Sequence, residues 1–204
     1  LGLLRYFLKP KSDLPFRLFT LFAIIYGTLV LLSQIELIHN PFEDYYVHND
    51  AAMSFYKNIM THVLPCSWGD IFKKTIGNSF FSHYPLGAFI MAINGKIGMA
   101  LGVENLRLFL RLHIFLIGAS ITAIMANIFE INELSERTNK TLVICFGMFS
   151  FLYISSAIFT RDIYVTFVYT VASYIYLNKN VKRKLLLFIV LFFVARGFRP
   201  ENGL

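Results

Sequence analysis

With 204 residues, 56% of them hydrophobic and only 15% charged, and a mean hydropathy of +0.60, this chain has too few charges to cover a water-soluble globule of its size; soluble domains average roughly 25% charged residues. The net charge of +7 does not indicate nucleic-acid binding, because the basic residues flank apolar runs, where the positive-inside tendency of membrane proteins puts them. Cys66 lies in a polar stretch and Cys145 in an apolar one, so the two cysteines suggest neither a disulfide nor a metal-binding spacing.

Arg5, Lys9, Lys11 and Arg17 precede the first apolar run, Leu18–Ile35. Its apolar core is too long for a signal peptide and no small-residue cleavage site follows it. It reads as a first span over about 15–38, leaving a cytoplasmic N-terminus. Residues 39–106 then form a long polar outer segment, opened by the run from His39 to Asp50. Loops too long to be simple connectors tend to be functional.

Within that segment, Thr75–Gly95 has no formal charge but contains Asn78, Ser79, Ser82, His83, Pro85, Gly87 and Asn94. Counted as a span, it would put the basic cluster Lys179–Lys184 outside. As an interfacial or re-entrant helix it leaves both basic flanks inside, and its amphipathic, aromatic character fits the membrane interface.

The remaining apolar runs predict an inward span at about 107–130, a cytoplasmic turn at 131–140 and an outward span at about 141–159. Arg161-Asp162 caps an outer turn before an inward span at about 163–178. The densest basic cluster, residues 179–184, is cytoplasmic, and a last span at about 185–198 runs outward. The expected fold is all-α: a polytopic transmembrane helical bundle of about five spans, one transmembrane unit over 1–204, with interfacial helices in its first outer loop. The chain begins at Leu1 rather than Met and ends at Leu204 without an obvious terminator, as expected of a piece of a longer multi-span protein.

This topology puts Asp44, Asp50, Arg161, Asp162, Arg199 and Glu201 on one side of the membrane. Ionisable groups near membrane depth are costly and usually face a cavity or a partner. Asp50 precedes a helical pattern from Ala51 to about Met60, so it can serve as an N-cap; it can equally act as a general base. Glu43 and Asp44 compete for that second role. His48 and His83 fit interfacial anchors; with Asp50 they carry metal-ligating groups, without a specific ligand spacing. Arg161-Asp162 reads as a snorkelling Arg with a capping Asp, or as an anion-binding Arg beside a substrate-orienting carboxylate. Snorkelling explains one Arg of Arg196-Gly197-Phe198-Arg199-Pro200-Glu201. A second Arg and a Glu around Gly and Pro suggest contact with a lipid phosphate.

Four features carry a family resemblance. An Asp follows the first span with a downstream Tyr, here Asp50 and Tyr56. The segment His83-Tyr84-Pro85-Leu86-Gly87 opens a short helix that ends in Leu101-Gly102. An Arg-rich helix start follows, from Leu106 to Leu112. Arg161-Asp162 precedes the next inward span, with Arg199-Pro200-Glu201 further on. In this order and spacing the chain resembles the GT-C fold glycosyltransferases, closest to the branch of protein O-mannosyltransferases and lipid A aminoarabinose transferases. The likeness runs from about residue 15 to 204. It departs from the family in lacking a second Pro before the short helix, where Tyr84 stands.

The resemblance implies a polyprenyl-phosphate-linked sugar as donor and a glycan, lipid or protein acceptor on the extracytoplasmic face, with inversion at the anomeric carbon. Asp50 would be the base and Asp162 a second catalytic carboxylate. Arg161 and Arg199 would hold the leaving phosphate, with Asp44, Tyr84 and Glu201 completing the substrate site. Preorganised positive charge at a developing phosphate is a large catalytic effect. Some members of the family use a divalent metal and many do not. An O-antigen or capsule polymerase or ligase shares this composition but tends to place its large loop late in the chain. A transporter or flippase predicts ionisable groups at span centres and paired repeats.

Overall fold

In the computed structural model the described residues are 8, 10–34, 58–78, 85–104, 106–148, 161–179 and 181–198; for 107–112 and 161 only the backbone is described. Among them the structure is helical, with no strand. Seven α-helices follow in chain order: α1 (Leu14–Gln34), α2 (Ile71–Thr75), α3 (Pro85–Ala100), α4 (Leu106–Ile131), α5 (Glu136–Met148), α6 (Arg161–Leu177) and α7 (Lys184–Phe198). A π-helical turn (Ile59–Val63) and a 3₁₀ turn (Trp68–Asp70) precede α2.

Helix α4 is the centre of the bundle, with α1, α3, α5 and α6 packed on it. It can be surrounded because Ala119, Ala123 and Ala126 are fully buried small residues that let neighbouring backbones come close. Helix α1 presents Leu14, Leu18, Phe22, Tyr26 and Val30, one buried residue every fourth position. Such a row is a ridge that fits the groove of a facing helix.

Contacts between the helices set their directions. Lys11 and Ser12 bond Glu130 at the end of α4, while Gly27 faces the ring of Phe115 near its start, so α1 and α4 are antiparallel. Asn139 of α5 reaches Ala126, and Gly147 of α5 meets Phe22 and Tyr26 of α1. Helix α5 therefore runs back alongside α1. Tyr164 at the start of α6 meets His113 near the start of α4, and Phe198 at the end of α7 lies on Tyr164. Helices α1, α4, α5, α6 and α7 thus alternate in direction along the bundle.

The stretch expected as one interfacial helix, Thr75–Gly95, differs in detail. Helix α2 ends at Thr75 and gives way to a turn at 76–77, where a Cβ on Gly77 would come within 2.9 Å of the Lys73 carbonyl oxygen. The chain is helical again from Pro85, whose missing N–H is no loss at a first helical position. Helix α3 then runs to Ala100, in keeping with the short helix expected to end in Leu101-Gly102. It closes at Gly102, which has a φ of 70°, with Val103 N–H donating to the Gly98 carbonyl at 2.9 Å and Gly102 N–H to Met99 at 3.0 Å. This is a Schellman cap, which favours glycine in the left-handed position. The turns before α2 lie on α3 through Ile59, Val63, Leu64 and Ile71, packed against Ala88, Met91 and Ala92.

Among the described residues, two helices are long and apolar enough to cross a membrane, Leu14–Leu32 within α1 and His113–Ile131 within α4. Helix α7 leaves Leu185, Leu186, Ile189, Val190, Phe192 and Phe193 exposed along its length.

Candidate functional site

At one end of the bundle, four helices meet around a chain of polar side chains. Asn94 comes from α3, His113 from α4, Tyr164 from α6 and Phe198 from α7. Asn94 Nδ2 lies 2.6 Å from His113 Nδ1, and His113 Nε2 is hydrogen-bonded to the Tyr164 hydroxyl. The Tyr164 ring stacks on Phe198 with centroids 4.4 Å apart and planes 14° from parallel. Tyr164 is buried, whereas Asn94 and His113 are half-buried. A buried phenol must find a hydrogen-bond partner, and the imidazole supplies it.

A neutral imidazole has one N–H and one acceptor nitrogen. With the Asn94 amide nitrogen donating to Nδ1, the ring proton is on Nε2 and is donated to the Tyr164 oxygen. With the amide turned over, Oδ1 accepts from Nδ1–H and Nε2 accepts the phenolic proton. The chain therefore has two polarities that differ by one proton position at each link and by no net charge. Such a group can hold or pass a proton.

The same end gathers the neighbourhoods of residues singled out in the sequence. A Cβ on Gly197 would sit 3.2 Å from the Leu86 Cβ, so the last turn of α7 crosses the first turn of α3 with no room to spare. Leu86 is two residues after Tyr84, and Gly197 two before Arg199. Asp162 is half-buried in the first turn of α6, two residues before Tyr164, and its carbonyl accepts from Thr166 Oγ1 at 2.8 Å. The Arg161-Asp162 pair was expected to cap a turn and is instead helical. Arg161 is described in its backbone alone, and Asp44, Asp50, Tyr84, Arg199 and Glu201 lie outside the described residues, as do Glu43, His48 and His83.

Sequence reasoning did not single out His113, and it treated Asn94 only as one polar residue of an interfacial stretch. A usable signal existed: His113 is the one imidazole in an apolar run from Leu112 to Phe129 that has no formal charge. An ionisable residue in such a run marks a site candidate.

The opposite end holds a different arrangement. The Leu8 carbonyl accepts from Asn127 Nδ2 at 2.9 Å and from the Tyr174 hydroxyl at 3.0 Å, and Asn178 Nδ2 donates to that hydroxyl at 2.8 Å. Close by, an open cavity of about 360 Å³ is lined by Lys11, Ser12, Glu130, Glu133, Glu136 and Asn139, among others. Asn139 is fully buried; its Nδ2 donates to Ala126 and its Oδ1 has no partner. Among the described residues no group of three or more His, Cys, Asp or Glu could hold a metal ion. No family model matches the chain, and neither a curated protein nor a solved structure matches it.

Proposed function

We propose that this chain is part of a multi-span membrane glycosyltransferase of the GT-C type. It moves a sugar from a polyprenyl-phosphate-linked donor to an acceptor on the extracytoplasmic face. The observation that carries this reading is the meeting of three chain segments at the His113 end of the bundle. These are the start of α3 beside Tyr84, the first turn of α6 with Arg161-Asp162, and the last turn of α7 before Arg199 and Glu201. The alternating helices and the apolar outer face of α7 support the membrane-spanning part, because a patch of that kind on a soluble monomer would be an aggregation liability.

In this mechanism the acceptor hydroxyl or amine loses its proton to the Asp50 carboxylate and forms a bond to the anomeric carbon. The bond from that carbon to the phosphate oxygen breaks on the opposite face, and the phosphate leaves with the electron pair. Arg161 and Arg199 hold the leaving phosphate through paired N–H donors. Asp162 orients the sugar, Tyr84 lines the pocket, and Asp44 and Glu201 flank the site. The Asn94–His113–Tyr164 chain keeps the first turn of α6 in place through Tyr164.

The test is sugar transfer by the full-length protein in liposomes, supplied with polyprenyl-phosphate sugars and an acceptor mixture. Asp50→Asn is expected to lower transfer by at least about a hundredfold, the scale of general-base catalysis. Full transfer by that variant removes Asp50 from the mechanism. A cysteine-accessibility map that puts residues 45–60 on the cytoplasmic side removes the whole reading. One observation favours a transporter instead, the imidazole of His113 within the run from Leu112 to Phe129, which has no formal charge. That reading predicts movement of substrate across the liposome with no new glycosidic bond, which the same assay detects.

A further inference from the structure

Helices α6 and α7 carry a second site, at the end of the bundle away from His113. A cavity of about 360 Å³ lies against them, lined by Tyr169, Ala172, Ser173, Tyr176 and Leu177 of α6 and Phe188 of α7. Its shape follows from helix periodicity. Tyr169 and Tyr176 are seven residues apart, so they stand on one side of α6 about 10 Å from each other along the axis. Ala172 and Ser173 lie between them and form a low floor. Ser173 Oγ donates to the Tyr169 carbonyl at 2.9 Å, so the one polar group of the floor is bonded to its own helix. The two tyrosines are strongly exposed, at 55% and 71%.

Positive charge gathers at one rim of this groove. Lys184 Nζ donates to the Tyr176 carbonyl at 2.8 Å, which draws the loop between the helices over the last turn of α6. Lys179, Lys182 and Arg183 in that loop are exposed. No Asp or Glu occurs anywhere from residue 163 to 198, and Asp162, the one carboxylate on these two helices, is in the first turn of α6, at the opposite end from the cluster. An open apolar groove with a cationic rim suits an amphiphile with an anionic head. Basic residues at a membrane edge attract anionic lipid, with a contribution from each side chain.

The geometry points to a binding site for one anionic phospholipid: its phosphate at Lys179, Lys182, Arg183 and Lys184, its acyl chain in the groove between Tyr169 and Tyr176. This rests on the reading of α6 and α7 as membrane helices, and it is independent of sugar transfer. A failure of lipid binding leaves the transfer assay with Asp50→Asn untouched, and the reverse holds too.

The experiment is native mass spectrometry of the full-length protein in detergent, titrated with phosphatidylglycerol or with phosphatidylcholine of the same acyl chains. Phosphatidylglycerol adducts are expected at concentrations about tenfold lower than phosphatidylcholine adducts. The triple variant Lys179→Gln, Lys182→Gln, Arg183→Gln keeps the Lys184 bond that holds the loop and is expected to lose most of that preference. Ala172→Phe fills the floor and is expected to lose the retained lipid while keeping every charge. Circular dichroism and the thermal midpoint in phosphatidylcholine micelles confirm that both variants fold. Equal affinity for the two lipids overturns the proposal, as does a triple variant that keeps the preference. Displacement of phosphatidylglycerol by millimolar inorganic phosphate also overturns it, by showing a phosphate site with no need for the acyl chain. If a second copy or another helix covers the groove, Tyr176→Cys is shielded from a maleimide reagent and no lipid is retained, which overturns it as well.

Discussion

The two ends of this bundle use similar side chains in opposite ways. Around Leu8, Asn127 and Tyr174 both donate to one backbone carbonyl, and Asn178 closes the set. Around His113, Asn94 and Tyr164 each bond to the imidazole, a side chain. A carbonyl can only accept, so the first set has one arrangement of protons. An imidazole between an amide and a phenol can donate from either side, so the second set has two. The first end holds the Leu8 backbone in place, and the second admits two directions of hydrogen bonding.

The sharpest way to break this contrast is to disturb what joins the ends. Gly147 of α5 lies between them, and any Cβ there overlaps the ring of Phe22, which stacks toward Tyr26 with centroids 5.3 Å apart. Tyr26 also donates to the Gly147 carbonyl at 2.7 Å. Gly147→Leu is expected to cost about 3 kcal/mol, the upper range for overpacking a filled core. It should lower the thermal midpoint in detergent and reduce function at both ends together.

Next in size is the double variant Asn127→Leu with Tyr174→Phe. It leaves the Leu8 carbonyl without these two donors, and one unmet buried acceptor costs about 2 kcal/mol. Thermal unfolding should show that loss, while transfer by the folded fraction stays within about twofold, a barrier change under about 0.5 kcal/mol. A large fall in transfer would mean that the Leu8 end is no mere tether.

Tyr164→Phe keeps the stack on Phe198 and removes only the hydroxyl. Its expected signature is reversed: a loss of transfer of about tenfold, equal to about 1.4 kcal/mol in the barrier, with a smaller fall in thermal midpoint. Unchanged transfer would leave the two ends functionally alike. The smallest effect is expected from Gly197→Ala. The new methyl crowds Leu86 at 3.2 Å, and the better helix propensity of Ala offsets part of that strain. A net loss below about 1 kcal/mol should appear in the same thermal scan.

The helices themselves were largely legible. Apolar runs predicted helices at α1, α4, α6 and α7, because hydropathy acts locally along the chain, whereas α5 begins at Glu136, inside the stretch expected as a turn at 131–140. The cap at Gly102 was readable for the same reason, since only its own helix is involved. The break at Gly77 was missed because an uncharged stretch looks continuous to a window that does not weigh turn geometry. Of the expected site residues, Asp162 is described, two residues before Tyr164 in the first turn of α6. His113 escaped notice because a neutral imidazole leaves a run formally uncharged. Its partners are 19 and 51 residues away in sequence, beyond any local pattern. Nothing near Leu8 announces that its carbonyl will be held by residues on α4 and α6.

That last separation has a consequence for how the protein is made. Tyr174 is 166 residues downstream of Leu8, and at ordinary translation rates that distance is about ten to thirty seconds of synthesis. For that interval the lead-in to α1 has no Tyr174 to receive it. Asn127 arrives earlier, 119 residues on, so the segment is caught in two stages and secured only when α6 has been delivered. The two donors to the Leu8 carbonyl are therefore both available only late in synthesis, and protection of Leu8 from protease would report that they have engaged.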